Sequence, residues 1–121
     1  MIQFSGSINP QEFDELHINL IMIFSFIHGF TMAKGLPVVV TSMIRPENDG
    51  ISVSRTHQTG RGLDFIVPGI MQDEIEQLVH IVNREFKDEA AISKTTGRPT
   101  ALVYHQDADG GGSHMHLQVK P

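Results

Sequence analysis

The chain contains no cysteine, which excludes disulfides and thiolate metal sites and leaves His, Asp and Glu as the only strong metal ligands. It has no run of Lys and Arg, and its formal net charge is -5 with His neutral. A phosphate-binding surface needs basic charge, so nucleic acid is not expected as a partner. It also has no apolar run of the ~20 residues that a membrane span needs. The most apolar stretch, 18–27, is interrupted by Asn19 and Ser25 and flanked by His17 and His28, as expected of a buried core helix. No membrane partner is expected. Met1-Ile2-Gln3-Phe4 offers no basic leader, and Asp14 and Glu15 precede the first apolar stretch. A signal peptide is therefore not expected, and cytoplasmic residence is. No internal repeat or long low-complexity linker divides the chain.

What is present suits one small globular domain spanning 1–121. Hydrophobic residues make up 40% and charged residues 19% of 121 residues, an ordinary balance for a packed domain. Asn9 and Pro10 form a cap and first-turn pair, and Glu12, Asp14 and Glu15 suit the positive end of a helix dipole. Phe13, Leu16, Leu20, Ile23, Phe24 and Ile27 recur at spacings of three and four. Together these predict one helix from Pro10 to the Lys34-Gly35 stop. A second helix is predicted over 71–86, with Ile75, Leu78, Val79, Val82 and Phe86 on one face. Strands are predicted at 38–41, 63–67, 101–104 and 114–119. Loops are predicted at 46–50, 54–62, 94–99 and 106–113. The expected class is α+β, a small antiparallel sheet with two main helices and a hairpin-like ending.

Asp64 is out of place in this pattern. Leu63, Phe65, Ile66 and Val67 surround it, and a buried carboxylate is costly without a cation, a metal or several donors. A strand-end Asp bonding a neighbouring turn is the plain alternative. His57 lies seven residues upstream, with Gly60 and Gly62 between them to let the backbone turn tightly. His114 and His116 are two apart on a predicted strand, so they share a face and both can point at one centre. Imidazole and carboxylate are zinc ligands. Two His and one Asp leave a fourth position for water, the catalytic form of a zinc site. Seven His is a generous supply for such a centre in a chain of this length.

Ser54-x-x-His57-x-x-Gly60-x-Gly62-x-Asp64, followed late by His114-x-His116, resembles the zinc D-Ala-D-Ala carboxypeptidase and endolysin family. That family belongs to the superfamily that also holds hedgehog signalling domains. The upstream Ser42-Met43-Ile44-Arg45 after a strand is similar to that family too, and the order of elements follows it over most of the chain. The resemblance implies a hedgehog/DD-peptidase-like fold, Zn2+ as cofactor, and His57, Asp64 and His116 as metal ligands. It implies that Arg45 holds substrate and stabilises a developing oxyanion, a task suited to a guanidinium's fixed donors. A surface ion pair, with Glu47 as one partner, is the alternative for Arg45. The resemblance further implies that His114 faces the site as a catalytic residue, steadying an intermediate or orienting the ligand set; a merely packed His is the alternative. The implied activity is zinc-dependent hydrolysis of peptide bonds, with a peptidoglycan peptide as substrate. Compact members of this type occur in phages, which would add release by lysis or carriage on the virion to the expected locations. Oligomeric state is left open, with a monomer expected.

Three positions depart from the family pattern. Ser54 stands three residues before His57 rather than two, and Gly62 replaces the usual Ala. Ser113 stands where the family carries the Glu or Asp that acts as general base. General acid–base assistance contributes roughly 10²–10⁴-fold, so its loss should slow hydrolysis severely. Asp107 and Asp109 in the loop just before it, and His105 at the end of the preceding strand, are the candidates to replace it, with solvated loop acids as the plain alternative for the two aspartates. A non-catalytic zinc-bound binding or structural module is the second reading, and a metal-free α+β domain is the third.

Overall fold

The computed structural model describes residues 2–6, 8–43, 60–106 and 113–121. It is an α+β fold with a five-stranded mixed sheet. The strands are β1 (Ile2–Phe4), β2 (Val38–Ser42), β3 (Gly62–Ile66), β4 (Leu102–His105) and β5 (His114–Gln118), in the order β1-β2-β3-β5-β4. Two helices, α1 (Ile18–Ala33) and α2 (Gln72–Glu85), and a 3-10 helix over Pro10–Glu15 complete it.

The sheet corrects the antiparallel expectation at one edge. β2, β3, β5 and β4 each run antiparallel to their neighbours in that order, but β1 runs parallel to β2, with Ile2 beside Val38 and Phe4 beside Val40. A parallel neighbour needs a crossover connection, and the segment containing α1 supplies it. Three residues, Ile-Gln-Phe, are too short for their alternation to stand out in the sequence. Ile2 and Phe4 nevertheless pack against the core, and Phe4 meets Phe13 edge to face at 6.3 Å.

The first helix is also corrected. The apolar spacing from Phe13 to Ile27 is continuous, but the backbone breaks at Leu16, whose ψ of 153° is extended. Asn9 caps the 3-10 helix by accepting from the Gln11 amide at 3.1 Å. His17 then caps α1 through Nδ1, which accepts from the Asn19 amide at 3.1 Å. The His17 amide donates to the Gly60 carbonyl at 2.9 Å, tying the start of α1 to the approach to β3. Gly60 has φ of 73°, and a Cβ there would stand 3.1 Å from the Glu15 carbonyl oxygen. Left-handed backbone and close approach together call for glycine. The predicted stop at Lys34-Gly35 takes the Schellman form: Leu36 donates to the Thr31 carbonyl and Gly35 to that of Met32.

Strand alternation sorts the side chains into two faces. Val38, Val40, Leu63, Phe65, Met115 and Leu117 are buried with Leu20, Ile23, Phe24 and Ile27 of α1 and Ile75, Leu78 and Val82 of α2 in one core cluster. Phe24 meets Phe65 at 5.5 Å. The opposite face carries Asp64 from β3 and His114, His116 and Gln118 from β5. α2 also covers the edge strand: Asn83 Oδ1 accepts from the Ala101 and Leu102 amides, each at 2.8 Å, and Nδ2 donates to the Leu102 carbonyl at 2.9 Å. Among the described residues, no helix is long and apolar enough to cross a membrane.

Candidate metal centre

β3 and β5 bring two of the expected ligands together. Their register sets Asp64 directly opposite His116, so the two side chains project from neighbouring strands on one face. Asp64 Oδ1 lies 2.7 Å from His116 Nδ1, with the side chains 10% and 12% exposed. The carboxylate that looked anomalous in the sequence is thus buried and partnered. The same register puts Ser42 of β2 beside Asp64, after an irregularity in the β2–β3 pairing between Val40 and Ser42.

The other nitrogen of His116 is engaged as well. Nε2 lies 3.2 Å from Gln118 Oε1, and the Gln118 amide nitrogen donates to the Thr100 carbonyl at 2.9 Å. A ligating imidazole usually has its second nitrogen oriented by such an acceptor. The donor set therefore fits a zinc ion, since carboxylate oxygen and imidazole nitrogen converge in a nearly dry place. Asp64 and His116 are the two described residues that would hold such an ion. Among the described residues, no group of three His, Asp or Glu side chains stands ready to hold a metal. The third expected ligand, His57, lies outside the described residues, as do Arg45, Asp107 and Asp109. The loop expectations at 46–50, 54–59 and 107–112 lie outside them too.

His114 lies two residues from His116 on the same face and is half-buried. It stands cross-strand from His105 of β4, their rings 5.1 Å apart. The His105 ring is 6.3 Å from that of His116. Burial holds the His105 pKa below its ordinary value, and the His114 and His116 imidazoles add to the effect against the opposing pull of Asp64. His105 is therefore predominantly neutral near pH 7 and able to accept a proton. Ser113 is exposed. A cavity of about 260 Å³ opens beside Ser113 and His114, walled by Ile66, Val67, Tyr104 and Met115. A larger one, about 740 Å³ between α2 and β4, is lined by Ile75, Val79, His80 and Leu102, and neither cavity includes Asp64 or His116. The smaller one includes His114, two residues from His116.

Sequence reasoning missed Gln118. Its signal was a polar residue inside the apolar strand pattern Leu117-x-Val119, two residues beyond a proposed ligand on the same face. No protein-family model, curated protein or solved structure matches this chain.

Proposed function

We propose that this chain is a zinc-dependent peptidase-like domain of the hedgehog/DD-peptidase type that hydrolyses peptide bonds of bacterial peptidoglycan. The observation that carries the reading is the buried contact between Asp64 Oδ1 and His116 Nδ1 at 2.7 Å. These are two of the three positions at which the sequence resemblance implies zinc ligands. His57 would supply the third ligand. When bound, zinc lowers the pKa of its water to ~7 and polarises the scissile carbonyl.

The chain's own groups divide the remaining work. Arg45 would bind the substrate and place its guanidinium against the developing oxyanion. Ser113 cannot act as the general base that a carboxylate would provide at its position. His105, largely neutral and on the same sheet face, is placed to accept the proton at an imidazole nitrogen. Asp107 and Asp109 are the alternatives for that role. The locations open to such a protein are the cytoplasm and, for a phage product, the cell wall reached by lysis or on the virion.

The test is incubation of zinc-loaded protein with peptidoglycan and with D-Ala-containing peptides, followed by mass spectrometry. Fragments that disappear on chelation and in Asp64→Ala support the reading. No release over a broad pH range rejects it. Ser113 favours a second reading, a zinc-bound module that recognises its ligand without cutting it. Retention on peptidoglycan without release, together with activity created by Ser113→Glu, would establish that reading instead.

A further inference from the structure

Gln118 is 9% exposed and lies between the buried apolar residues Leu117 and Val119. A buried amide is costly unless both its ends are bonded, and both are. The acceptor at one end decides the orientation of the whole group. A backbone carbonyl cannot donate, so the side-chain nitrogen must face Thr100 O at 2.9 Å, and Oε1 must face His116 Nε2 at 3.2 Å. The reverse orientation would set two oxygens against each other. An amide oxygen also cannot donate, so the hydrogen in that contact belongs to His116 Nε2. The backbone holds the relay in place, because the Gln118 amide donates to the Ala101 carbonyl at 2.8 Å, next to Thr100.

We infer that Gln118 is a positioning residue for the metal centre: it keeps a hydrogen on His116 Nε2 and so presents Nδ1 as the atom that binds the ion, in place of the hydrogen that Nδ1 donates to Asp64 Oδ1 in the metal-free fold. This rests on the zinc reading above. It extends that reading from which residues bind to which atom binds, and to the residue that selects it. The polar line runs from Thr100 through Gln118 and His116 to Asp64, crossing from β5 to β3. Outer partners of this kind typically change metal affinity 10–100-fold when removed.

The test compares wild type with Gln118→Met, which keeps the side-chain length without an acceptor, and Gln118→Glu, which keeps the acceptor toward His116 but loses the donor to the Thr100 carbonyl. Zinc affinity is measured by chelator competition, and histidine tautomers by long-range proton–nitrogen correlation spectra. Zinc-loaded wild type is expected to bind through His116 Nδ1 with hydrogen on Nε2. Gln118→Met should bind zinc about 10–100-fold more weakly, and Gln118→Glu should recover part of that loss. Zinc bound through Nε2 overturns the inference. So does an affinity in Gln118→Met within about threefold of wild type. A wild type that binds no zinc removes the metal reading but still tests Gln118. In the metal-free chain, hydrogen on His116 Nε2 supports the role and a bare Nε2 refutes it. That spectrum needs only wild type, so the inference stays testable even where a variant fails to fold.

Discussion

Replacing Asp64 by Ala in metal-free protein should destabilise the fold by about 2.5 kcal/mol. The side chains of Asp64 and His116 are 10% and 12% exposed, and their 2.7 Å contact is charge-assisted. A hydrogen bond to a charged group is worth about 1.5–3 kcal/mol net, and its loss strands Nδ1 of His116 away from water. The upper half of that range applies because so little solvent can take the carboxylate's place. Unfolding entropy near 60 °C is about 2.1 cal/mol/K per residue, or about 250 cal/mol/K over the 121 residues. The expected fall in Tm is therefore about 10 °C. Asp64→Asn keeps the volume and an acceptor oxygen but not the charge, and should lose about half as much. Scanning calorimetry in chelator, with agreement of calorimetric and van't Hoff enthalpies, measures this directly. Zinc at 100 times its Kd should then raise wild type by about 2.7 kcal/mol and the Ala variant not at all. An Ala variant that melts in chelator within about 2 °C of wild type, or above it, refutes the reasoning. The carboxylate would then be a strained charge that His116 does not compensate.

Three other expectations concern the frame and its pH response. Asn83→Ala removes three contacts to the start of β4 and should cost about 2–3 kcal/mol at roughly 1 kcal/mol each. Amide exchange at Ala101 and Leu102 should accelerate, and protection equal to wild type would contradict it. Gly60→Ala forces a Cβ onto left-handed backbone, 3.1 Å from the Glu15 carbonyl, and should cost about 1–3 kcal/mol in urea unfolding. An unchanged midpoint would show that the His17–Gly60 junction relaxes freely. The His105 pKa lies below 6.5 in the fold, so just below pH 6.5 the unfolded chain binds more protons and stability rises with pH. Its contribution is present above pH 6.5 and is lost as pH falls toward the folded value. Metal-free His105→Gln should therefore lose less stability than wild type between about pH 7 and pH 5, and equal slopes would contradict that.

Much of the fold was legible where one local signal governed the backbone. The β-branched run from Val38 gave β2, the spacing of Ile75, Leu78 and Val82 gave α2, and Gly35 marked the end of α1. The break at Leu16 was hidden, because a 3-10 helix followed by a fresh cap preserves the apolar face that a single helix would show. Nothing in Asn19 or His17 announces that an imidazole will cap α1. β1 was hidden because its parallel pairing depends on a crossover of more than thirty residues. At the site, Asp64 was legible as an acid in an apolar strand, and the alternation His114-x-His116 gave the shared face. The cross-strand register that sets Asp64 against His116 was not legible, since it depends on the pairing of residues 52 apart. Gln118 became meaningful only once the Thr100 carbonyl was seen to fix its orientation.

The central claim is one zinc ion held by Asp64 and His116 together with His57. Its most direct measurement is a zinc titration of chelator-stripped protein, monitored by calorimetry and checked by elemental analysis. The same titration is run on His57→Ala, Asp64→Ala and His116→Ala. The expected result is one equivalent bound by wild type and a severe loss of affinity in each variant, with wild-type affinity weakening as pH falls through ~6, where ligand His must give up protons. Binding well below one equivalent in wild type, or undiminished binding in all three variants, would contradict it.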